Sequence, residues 1–429
     1  MKFKFNPIAI LYILLVYLEL ATDRQHLYPV TYMTKYYIGI LIIVLFVLLL
    51  VGRGKLIFVN KKLLYLAKIL AIPTIVLFLY SVLLDVMNPV EFNGYFSRLS
   101  STTIFGLLAI FQAIVVFQFF GQKVVDYTFT AISLSYLTSI IVAFRQGGLS
   151  QFILILTDDS FNGSVLEMHE VAPITALFIL YYLYKYFIKE NSFSSVFHNI
   201  LIALIILFLS LKRIVFLSVL IIIPVFLVIY WYDKKVSKLG KERKILSLLN
   251  IFSLIFITGI FLYVYSVKSD FIYTFIQEHN INSMARTDLW KGVESTYNFA
   301  PIFMGRGIGF VTKWMDNNWM TLNINGLTGS MGIHNDILKY YIEIGFVGLF
   351  IYFYTLLYRN AKRIFVKIGH KESFIYFVLI MFQMLIWFTD NISIYHNFLW
   401  ILNLLLFSLT NSDTELENLD FKNLDFKNF

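Results

Sequence analysis

Long apolar runs, separated by short polar segments, fill the chain as far as about position 411. A run of about 18 or more mostly apolar residues predicts a membrane-spanning helix. The pattern predicts twelve spans, at residues 6–22, 37–52, 63–86, 102–120, 124–144, 171–188, 197–212, 213–232, 246–267, 336–358, 373–391 and 395–411. The predicted fold is therefore an all-α polytopic membrane protein, with residues 1–411 as one transmembrane domain.

The composition agrees with this pattern and excludes several kinds of site. Of the 429 residues, 59% are hydrophobic and 14% are charged, whereas a soluble domain has about 25% charged residues. The sequence has no cysteine, which excludes disulfides, thiolate metal sites and cysteine nucleophiles. No histidine pair has metal-binding HExxH spacing, so we expect no metal site. No small-residue cleavage site follows the first residues, so we interpret them as part of a retained first span.

The distribution of Lys and Arg predicts how the chain crosses the membrane. With the N-terminus in the cytoplasm, 22 of these residues lie on the inner side and 11 on the outer side, while Lys68 and Lys339 fall within spans. Cytoplasmic loops of membrane proteins are enriched in positive charge, so both termini are predicted to be cytoplasmic. This bias also accounts for the net charge of +9, so we expect no nucleic-acid partner.

The type of cation differs between the two sides. Six of the 11 outer cations are Arg, against four of the 22 inner ones. Either residue satisfies the topology, but only Arg has a planar fork that binds phosphate or carboxylate through two hydrogen bonds. The outer face is therefore predicted to bind an anion.

Two predicted outer loops are long enough to build a site. The main loop, residues 268–335, is expected to be catalytic and to contain short helices near 271–278 and 287–296. The second loop, residues 145–170, is shorter. The polar tail, residues 412–429, is predicted to be disordered or loosely docked on the cytoplasmic side.

Two arginines are candidates for binding the anion. Arg213 lies at the outer end of the eighth span, where it is either an anion clamp or an anchor at the membrane surface. Arg286 is expected near the N-terminus of a short helix that also contains Trp290 and is capped by Thr287 or Asp288. A helix N-terminus together with an Arg suits phosphate. The alternative role for Arg286 is a surface salt bridge with Asp288 or Glu294.

A glycine run lies in the middle of the main loop. Gly305, Arg306, Gly307 and Gly309 belong to the sequence Met-Gly-Arg-Gly-Ile-Gly. Glycine allows close backbone approach, and successive amides in such turns can form a nest for an anion. The alternative is a tight turn without a ligand.

A histidine ends the main loop. His334 precedes the tenth span, which Asn335 or Asp336 is expected to cap. The imidazole would then lie at the membrane surface, where it could act as a general base, a proton shuttle or a hydrogen-bond donor to diphosphate. The alternative is a histidine with only a structural hydrogen bond.

The second loop offers four further polar residues. Arg145 begins the loop, and Glu167, His169 and Glu170 end it. The last three are candidate acids, bases or ligands for sugar hydroxyls, or else a solvated cluster without a substrate.

The order of these features is more specific than any one of them. An Arg at the outer end of a mid-chain span is followed by one long loop with R-x3-W, then GxGxG, then His-Asn, and the next span has Gly345 and Gly348 as G-x2-G. This order resembles the superfamily of O-antigen ligases and Wzy-type polysaccharide polymerases. The resemblance covers about residues 210–349, and the first half of the chain matches only as generic multi-span sequence.

The resemblance implies a GT-C-like glycosyltransferase that needs neither metal nor cofactor. It would lie in the bacterial inner membrane, with its site facing the periplasm or the cell exterior, and would use oligosaccharides linked to undecaprenyl diphosphate. Arg213 and Arg286 would hold the diphosphate, and His334 would act as base or diphosphate contact. The remaining substrate-binding residues would be Arg145, Glu167, His169, Glu170, Trp290, Gly305, Arg306, Gly307, Gly309 and Asn335.

Two activities fit the resemblance, and they differ in the acceptor. A polymerase adds the growing chain to an incoming lipid-linked repeat unit for O-antigen or capsule, whereas a ligase adds it to lipid A–core. We favour the polymerase, because the second outer loop offers a place for a sugar-specific acceptor pocket. The expected partners are membrane lipid, a Wzz-type chain-length regulator and a flippase.

A flippase for lipid-linked oligosaccharide is the alternative from a different class. Such a transporter needs charged groups through the middle of its bundle, often in two repeated halves. Here the spans are almost free of charge, and the two halves show no repeat. The concentration of polar groups on one face favours an enzyme at the membrane surface.

The proposed arginine clamp is tested by substitution. Arg213→Ala and Arg286→Ala are each expected to abolish or strongly reduce activity without loss of membrane insertion. Arg→Lys at either position should restore it only in part, because a point charge cannot replace the fork. Normal glycosyl transfer by both alanine variants would exclude Arg213 and Arg286 as the groups that bind the diphosphate.

Overall fold

The computed structural model describes residues 6–22, 25, 31–54, 60–87, 95–157, 165–189, 191–281, 283, 286–320 and 332–410. Within these ranges the chain forms sixteen α-helices: α1 (Pro7–Leu20), α2 (Tyr32–Gly52), α3 (Lys61–Met87), α4 (Tyr95–Phe120), α5 (Lys123–Thr157), α6 (Val171–Phe187), α7 (Phe193–Leu209), α8 (Arg213–Ser237), α9 (Arg243–Lys268), α10 (Phe271–Glu278), α11 (Arg286–Gly292), α12 (Phe310–Asn318), α13 (Asp336–Tyr354), α14 (Asn360–Lys367), α15 (His370–Ile386) and α16 (His396–Phe407).

The all-α polytopic prediction is confirmed. Seven helices in the described residues are long and apolar enough to cross a membrane, and shorter apolar helices accompany them. Each of the twelve predicted spans contains one helix, and the described residues contain no strand. The predicted tail, residues 412–429, lies outside the described residues.

The apolar helices fall into two kinds that the sequence pattern does not separate. Helices α15 and α16 are buried along nearly their whole length; α16 packs against α4 and α6, and α15 packs against α8 and α6. By contrast, α2 and α3 expose large apolar side chains such as Leu48, at 64%, and Leu79, at 59%. In a bilayer such faces contact lipid, so an apolar surface has no need of a protein partner.

The second predicted loop is more helical than the apolar pattern indicates. Helix α5 continues to Thr157, with a break at Gly148, whose φ is 67° and ψ is −166°. Arg145 therefore lies on a helix rather than in a loop. Glycine adopts this positive φ without steric cost, which lets the helix change direction within the predicted 145–170 segment.

A second break, in α13, joins the glycine run of the main loop to the bundle. Gly345 has φ 73° and ψ −176°, so the helical hydrogen bonds across it cannot form. Residues 303–307 replace them: the Phe346 amide donates to the Phe303 carbonyl at 2.9 Å, the Arg306 amide to Ile342 at 2.9 Å, and the Gly307 amide to Glu343 at 2.8 Å.

Two glycines make this backbone-to-backbone contact possible. A Cβ on Gly305 would lie 2.5 Å from the Glu343 carbonyl oxygen, and one on Gly345 would collide with the Phe303 carbonyl. Both glycines also have positive φ. Gly345 thus permits the close approach of a loop segment rather than of a neighbouring helix.

Adding a methyl group at either glycine should destabilise the protein. We expect Gly305→Ala and Gly345→Ala each to lower the free energy of unfolding by about 3 kcal/mol or more, because the Cβ overlaps backbone and positive φ is strained. Thermal unfolding in detergent measures this.

Gly259→Ala on α9 is the matched control, because a Cβ there meets nothing within 4 Å. It should be neutral or stabilising by up to about 1 kcal/mol, since alanine favours a helix. Equal unfolding temperatures for Gly345→Ala and Gly259→Ala would contradict the packing argument.

Candidate active site

The main loop lies at the end of the bundle where α9 ends and α13 begins. The helix predicted near 271–278 is confirmed as α10, and the one near 287–296 forms as α11 followed by a 3₁₀ turn. Helix α11 begins at Arg286 itself, so Thr287 and Asp288 lie inside it. The prediction that one of them caps the helix is therefore wrong.

Two side chains fix the end of the main loop. Trp290 is 5% exposed, and its Nε1 donates to the Ile333 carbonyl at 2.9 Å. Asn335 caps α13 as predicted: its Oδ1 accepts from the Leu338 amide at 2.9 Å, while its Nδ2 donates to the Tyr263 hydroxyl at 2.6 Å. The loop end is thus held by α11 and by α9.

The same region holds the turn between α15 and α16. The Tyr263 hydroxyl donates to the Phe388 carbonyl at 3.1 Å. The buried Asp336 carboxylate accepts from both the Ser393 amide and the Ser393 hydroxyl, each at 2.7 Å. This turn therefore cannot move independently of the start of α13.

His334 lies between these anchored segments and contacts a carboxylate. Its Nδ1 is 3.6 Å from Oδ1 of Asp390, which belongs to the α15–α16 turn. Lys212 Nζ lies 4.0 Å from the other Asp390 oxygen and 3.7 Å from Glu167 Oε1. We call these four residues, His334, Asp390, Lys212 and Glu167, the His334 cluster. It joins four segments that are far apart in the sequence.

The backbone at His334 is strained. Its φ is 48°, in the left-handed region that costs a non-glycine residue about 1–2 kcal/mol. Strain of this kind persists only where surrounding contacts enforce it, and it concentrates at functional sites. Here the enforcing contacts are those of the neighbouring Ile333 and Asn335.

Asp390 is the charged centre of the cluster. Burial by itself raises the pKa of its carboxyl, but the His334 ring and the Lys212 ammonium outweigh burial and lower the pKa to about 2. Asp390 is therefore a carboxylate at neutral pH. It faces Nδ1 of His334, which favours the proton on that nitrogen and leaves Nε2 as the basic one.

The two candidate arginines lie on segments that also contribute residues to this region. Arg213 is the first residue of α8 and directly follows Lys212; it is exposed. Arg286 is half-buried and lies within electrostatic range of the Tyr263 hydroxyl, which binds Asn335. Among the described residues, no carboxylate pairs with Arg286, so the salt-bridge alternative is not what the structure shows.

The amides of the glycine run are engaged inside the protein. Besides the Arg306 and Gly307 amides on α13, the Ile308 amide donates to Ser81 Oγ at 3.0 Å and the Gly309 amide to Glu343 Oε1 at 3.0 Å. The group that occupies the predicted nest is thus the Glu343 carboxyl, whose Oε1 also accepts from the Val311 amide at the start of α12.

The side chain of Arg306 remains as the predicted substrate contact in this run. Its Nε donates to the Thr296 carbonyl at 3.2 Å. Gly305, Gly307 and Gly309 lie against the bundle and have a packing role in this structure.

The residues of the second loop separate in space. Glu167 belongs to the His334 cluster through its 3.7 Å contact with Lys212. Glu170 pairs with Lys35 at 2.8 Å, His169 is exposed, and Arg145 is exposed on α5. Their predicted contact with substrate remains a prediction.

Sequence reasoning missed three residues of this site. Asp390 lies in a short predicted outer turn, Lys212 enters the sequence analysis only in the count of outer cations, and Tyr263 is one of many aromatic residues in the spans. The available signals were weak: a carboxylate in a short outer turn, and a lysine directly before Arg213.

The fold and the site define a polytopic membrane protein with a cation-bearing polar site at one end of its bundle. Residues 198–353 match the family model described as O-antigen ligase. This match supports similarity to the O-antigen ligase and polymerase superfamily, whose members are glycosyltransferase-like enzymes acting on lipid-linked polysaccharide. No curated protein matches the chain.

The matched segment runs from α7 to α13. It contains Arg213, Arg286 and His334, and it agrees with the stretch 210–349 that carries the resemblance in the sequence. Asp390 and Glu167 lie outside it and join the site only through the fold.

The depressed pKa of Asp390 predicts a pH-dependent contribution to stability. The pKa of Asp390 falls from an ordinary value of 3.8 to about 2. This shift adds about 2 kcal/mol to the free energy of unfolding at neutral pH. Asp390→Asn should remove it. Because the folded-state pKa is the lower one, the contribution is complete well above pH 4 and is lost as pH falls towards 2.

Unfolding of the wild type and Asp390→Asn in detergent, between pH 7 and pH 3, measures this difference. Asp288→Asn is the control, because Asp288 is exposed on α11. If the difference in free energy of unfolding between the wild type and Asp390→Asn stays constant down to pH 3, the assigned charge of Asp390 is wrong.

Proposed function

We propose that this protein polymerises oligosaccharide repeat units linked to undecaprenyl diphosphate into O-antigen or capsular polysaccharide. The observation that carries the proposal is the His334–Asp390 contact at one end of a membrane bundle, where Arg213 begins the helix that follows Lys212 of the same cluster. The family match over residues 198–353 supports the same class of chemistry.

The chemistry follows from the groups present. His334 Nε2 takes the proton from an acceptor sugar hydroxyl, and the hydroxyl oxygen forms a bond to the anomeric carbon of the donor chain. The bond from that carbon to the diphosphate oxygen breaks, and its electron pair leaves with the lipid diphosphate. The positive charge that develops on the His334 ring is stabilised by the Asp390 carboxylate.

The arginines act on the leaving group. Negative charge grows on the diphosphate as its bond to the sugar breaks. Arg213 and Arg286 bind that charge from fixed positions, and preorganised charge of this kind is usually the largest catalytic term. Because Arg286 has no carboxylate partner in the described residues, its guanidinium is available for phosphate.

The ligase is the second candidate, because the matching family model is described as O-antigen ligase. Both activities use the same donor and the same leaving group. They differ in whether the acceptor hydroxyl belongs to a lipid-linked repeat unit or to lipid A–core. The positive-inside distribution supports placing the site on the outer face of the inner membrane for either one.

The deciding experiment incubates purified protein with lipid-linked repeat units in the presence of EDTA and separates the products on a gel. A ladder of lengthening chains is the expected result. Transfer only onto added lipid A–core would identify a ligase. If neither product forms but the substrate crosses the membrane of liposomes that contain the protein, the protein is a flippase and not a glycosyltransferase.

His334→Asn is the informative variant for the same assay. Asparagine tolerates the left-handed backbone at this position but cannot take the proton. The ladder should fall by at least about 100-fold, since general base catalysis contributes 10²–10⁴. Loss of the contact with Asp390 should lower the unfolding temperature no further than Asp390→Asn does. A wild-type ladder from His334→Asn would exclude the histidine as base.

A further inference from the structure

Six consecutive apolar residues lie in the middle of the main loop. Residues 299–304 read Phe-Ala-Pro-Ile-Phe-Met, with the exposed Asn298 before them and Arg306 two residues after them. The segment turns back on itself, because the Phe303 amide donates to the Ala300 carbonyl at 3.0 Å. We call residues 299–304 the apolar turn. An apolar tip between polar ends is the pattern of a segment that enters a membrane and leaves it on the same side.

The tip of the apolar turn carries exposed apolar side chains. Ile302 is 86% exposed, the largest exposed fraction among the large apolar side chains of the described residues, and Met304 is 49% exposed. Burial of such surface away from water is favourable. What covers the tip therefore depends on its depth relative to the membrane.

Helix α3 gives a first measure of this depth. The Tyr80 hydroxyl donates to the Met304 carbonyl at 2.7 Å. Tyr80 precedes Met87, the outer end of α3, by seven residues, which is about 10 Å along a helix. Between these two positions α3 still exposes apolar side chains, among them Leu83 at 53% and Val86 at 67%. The apolar turn therefore lies deeper than the outermost apolar surface of α3.

Helix α9 gives an independent measure. Phe346, whose amide binds the Phe303 carbonyl, has its ring centroid 4.3 Å from that of Phe261 on α9. Phe261 precedes the outer end of α9 at Lys268 by seven residues, again about 10 Å. Between them, Leu262 is 61% exposed. Both helices thus place the apolar turn at the same depth.

The lengths of these helices convert the depth into a position in the bilayer. Helices α3 and α9 have 27 and 26 residues, about 40 Å each, whereas the hydrocarbon layer of a membrane is about 30 Å thick. With the helices centred in the membrane, each end extends about 5 Å beyond the hydrocarbon. A level about 10 Å from the helix end therefore lies about 5 Å inside the hydrocarbon layer.

The surface around the apolar turn is continuous with the lipid-facing helices. Phe299 and Phe303 pack on the Tyr341 ring at 5.9 and 5.6 Å, and the first half of α13 is buried. Val347, just beyond the break in α13, is 55% exposed. The apolar turn thus takes the place of α13 on the outer surface between α3 and α9.

The backbone of this region is suited to a membrane. Besides the hydrogen bonds of Phe303 and Met304, the amides of residues 306–308 donate to α13 and to Ser81 of α3. Irregular backbone enters the hydrocarbon region only where the protein satisfies its polar groups. The contacts made by the glycine run meet this condition.

We propose that the apolar turn is a re-entrant membrane anchor, with Ile302 and Met304 in contact with the acyl chains of the outer leaflet. The main loop is then held at a fixed height relative to the membrane, and not only by the two helices at its ends. This inference goes beyond the proposed function and does not depend on it.

The test uses the absence of cysteine from the sequence, because a spin label then reports from one chosen position. Ile302→Cys, Leu79→Cys and Asp288→Cys are labelled with a nitroxide in liposomes. Collision rates with oxygen and with a polar nickel chelate, present on both sides of the membrane, are measured. Leu79, 59% exposed and next to Tyr80, is the lipid reference at the same depth, and the exposed Asp288 on α11 is the water reference.

The ratio of oxygen to nickel collisions measures contact with lipid. At Ile302 it should be at least about threefold higher than at Asp288 and within about twofold of that at Leu79, because a polar solute is excluded from hydrocarbon. A fluorescent label at the same positions measures depth. At Ile302 and Leu79, a quencher near the top of the acyl chain should act more strongly than one on the headgroup, and at Asp288 the order should reverse.

Two results would overturn the inference. Nickel access at Ile302 equal to that at Asp288 would mean that the tip lies in water. Low access of both oxygen and nickel would mean that another protein surface covers the tip. Neither measurement uses the transfer reaction, so an anchor without a ladder rejects only the polymerase, and a ladder without an anchor rejects only this inference.

Discussion

The contact between the glycine run and the broken helix α13 is the constraint on which the site depends. Inside a membrane bundle, every backbone amide and carbonyl must find a partner within the protein. The break at Gly345 leaves helical groups unpaired, and residues 303–307 satisfy them with three hydrogen bonds. The main loop is thereby bound to the bundle at its centre, in addition to the two helices at its ends.

This attachment determines which side chains of the main loop lie at the candidate site. Oε1 of Glu343, two residues before the break, accepts from two amides at the start of α12, so the loop helix and the membrane helix share one carboxyl group. At the other end of the loop, Trp290 and Asn335 hold Ile333 and the start of α13, and His334 is left in a strained conformation towards Asp390. The base that we propose, His334, is therefore held in place before a substrate binds, and preorganisation of this kind is the condition for electrostatic catalysis.

Part of the site could be predicted from the sequence, and part could not. The order of Arg213, Arg286 and His334 along the chain is sufficient to select them as candidates, because residue type and position relative to the spans are local properties. Asp390 could not be selected, since only packing of the α15–α16 turn against α13 brings it to His334. The partners of the glycine run also depend on tertiary packing. The sequence predicts an external anion as the ligand of its amides, whereas in the structure these amides bind α13 and Glu343.

The sequence by itself determined the all-α membrane class and the positions of the apolar helices, and it predicts the side of the membrane that carries the polar residues. These follow from runs of hydrophobicity and from charge bias, which act residue by residue along the chain. Only the tertiary structure decided which apolar faces are buried, how the helix breaks at Gly148 and Gly345 are used, and which polar side chains meet. Those outcomes depend on distances between segments remote in sequence, and an apolar helix looks the same whether lipid or protein covers it.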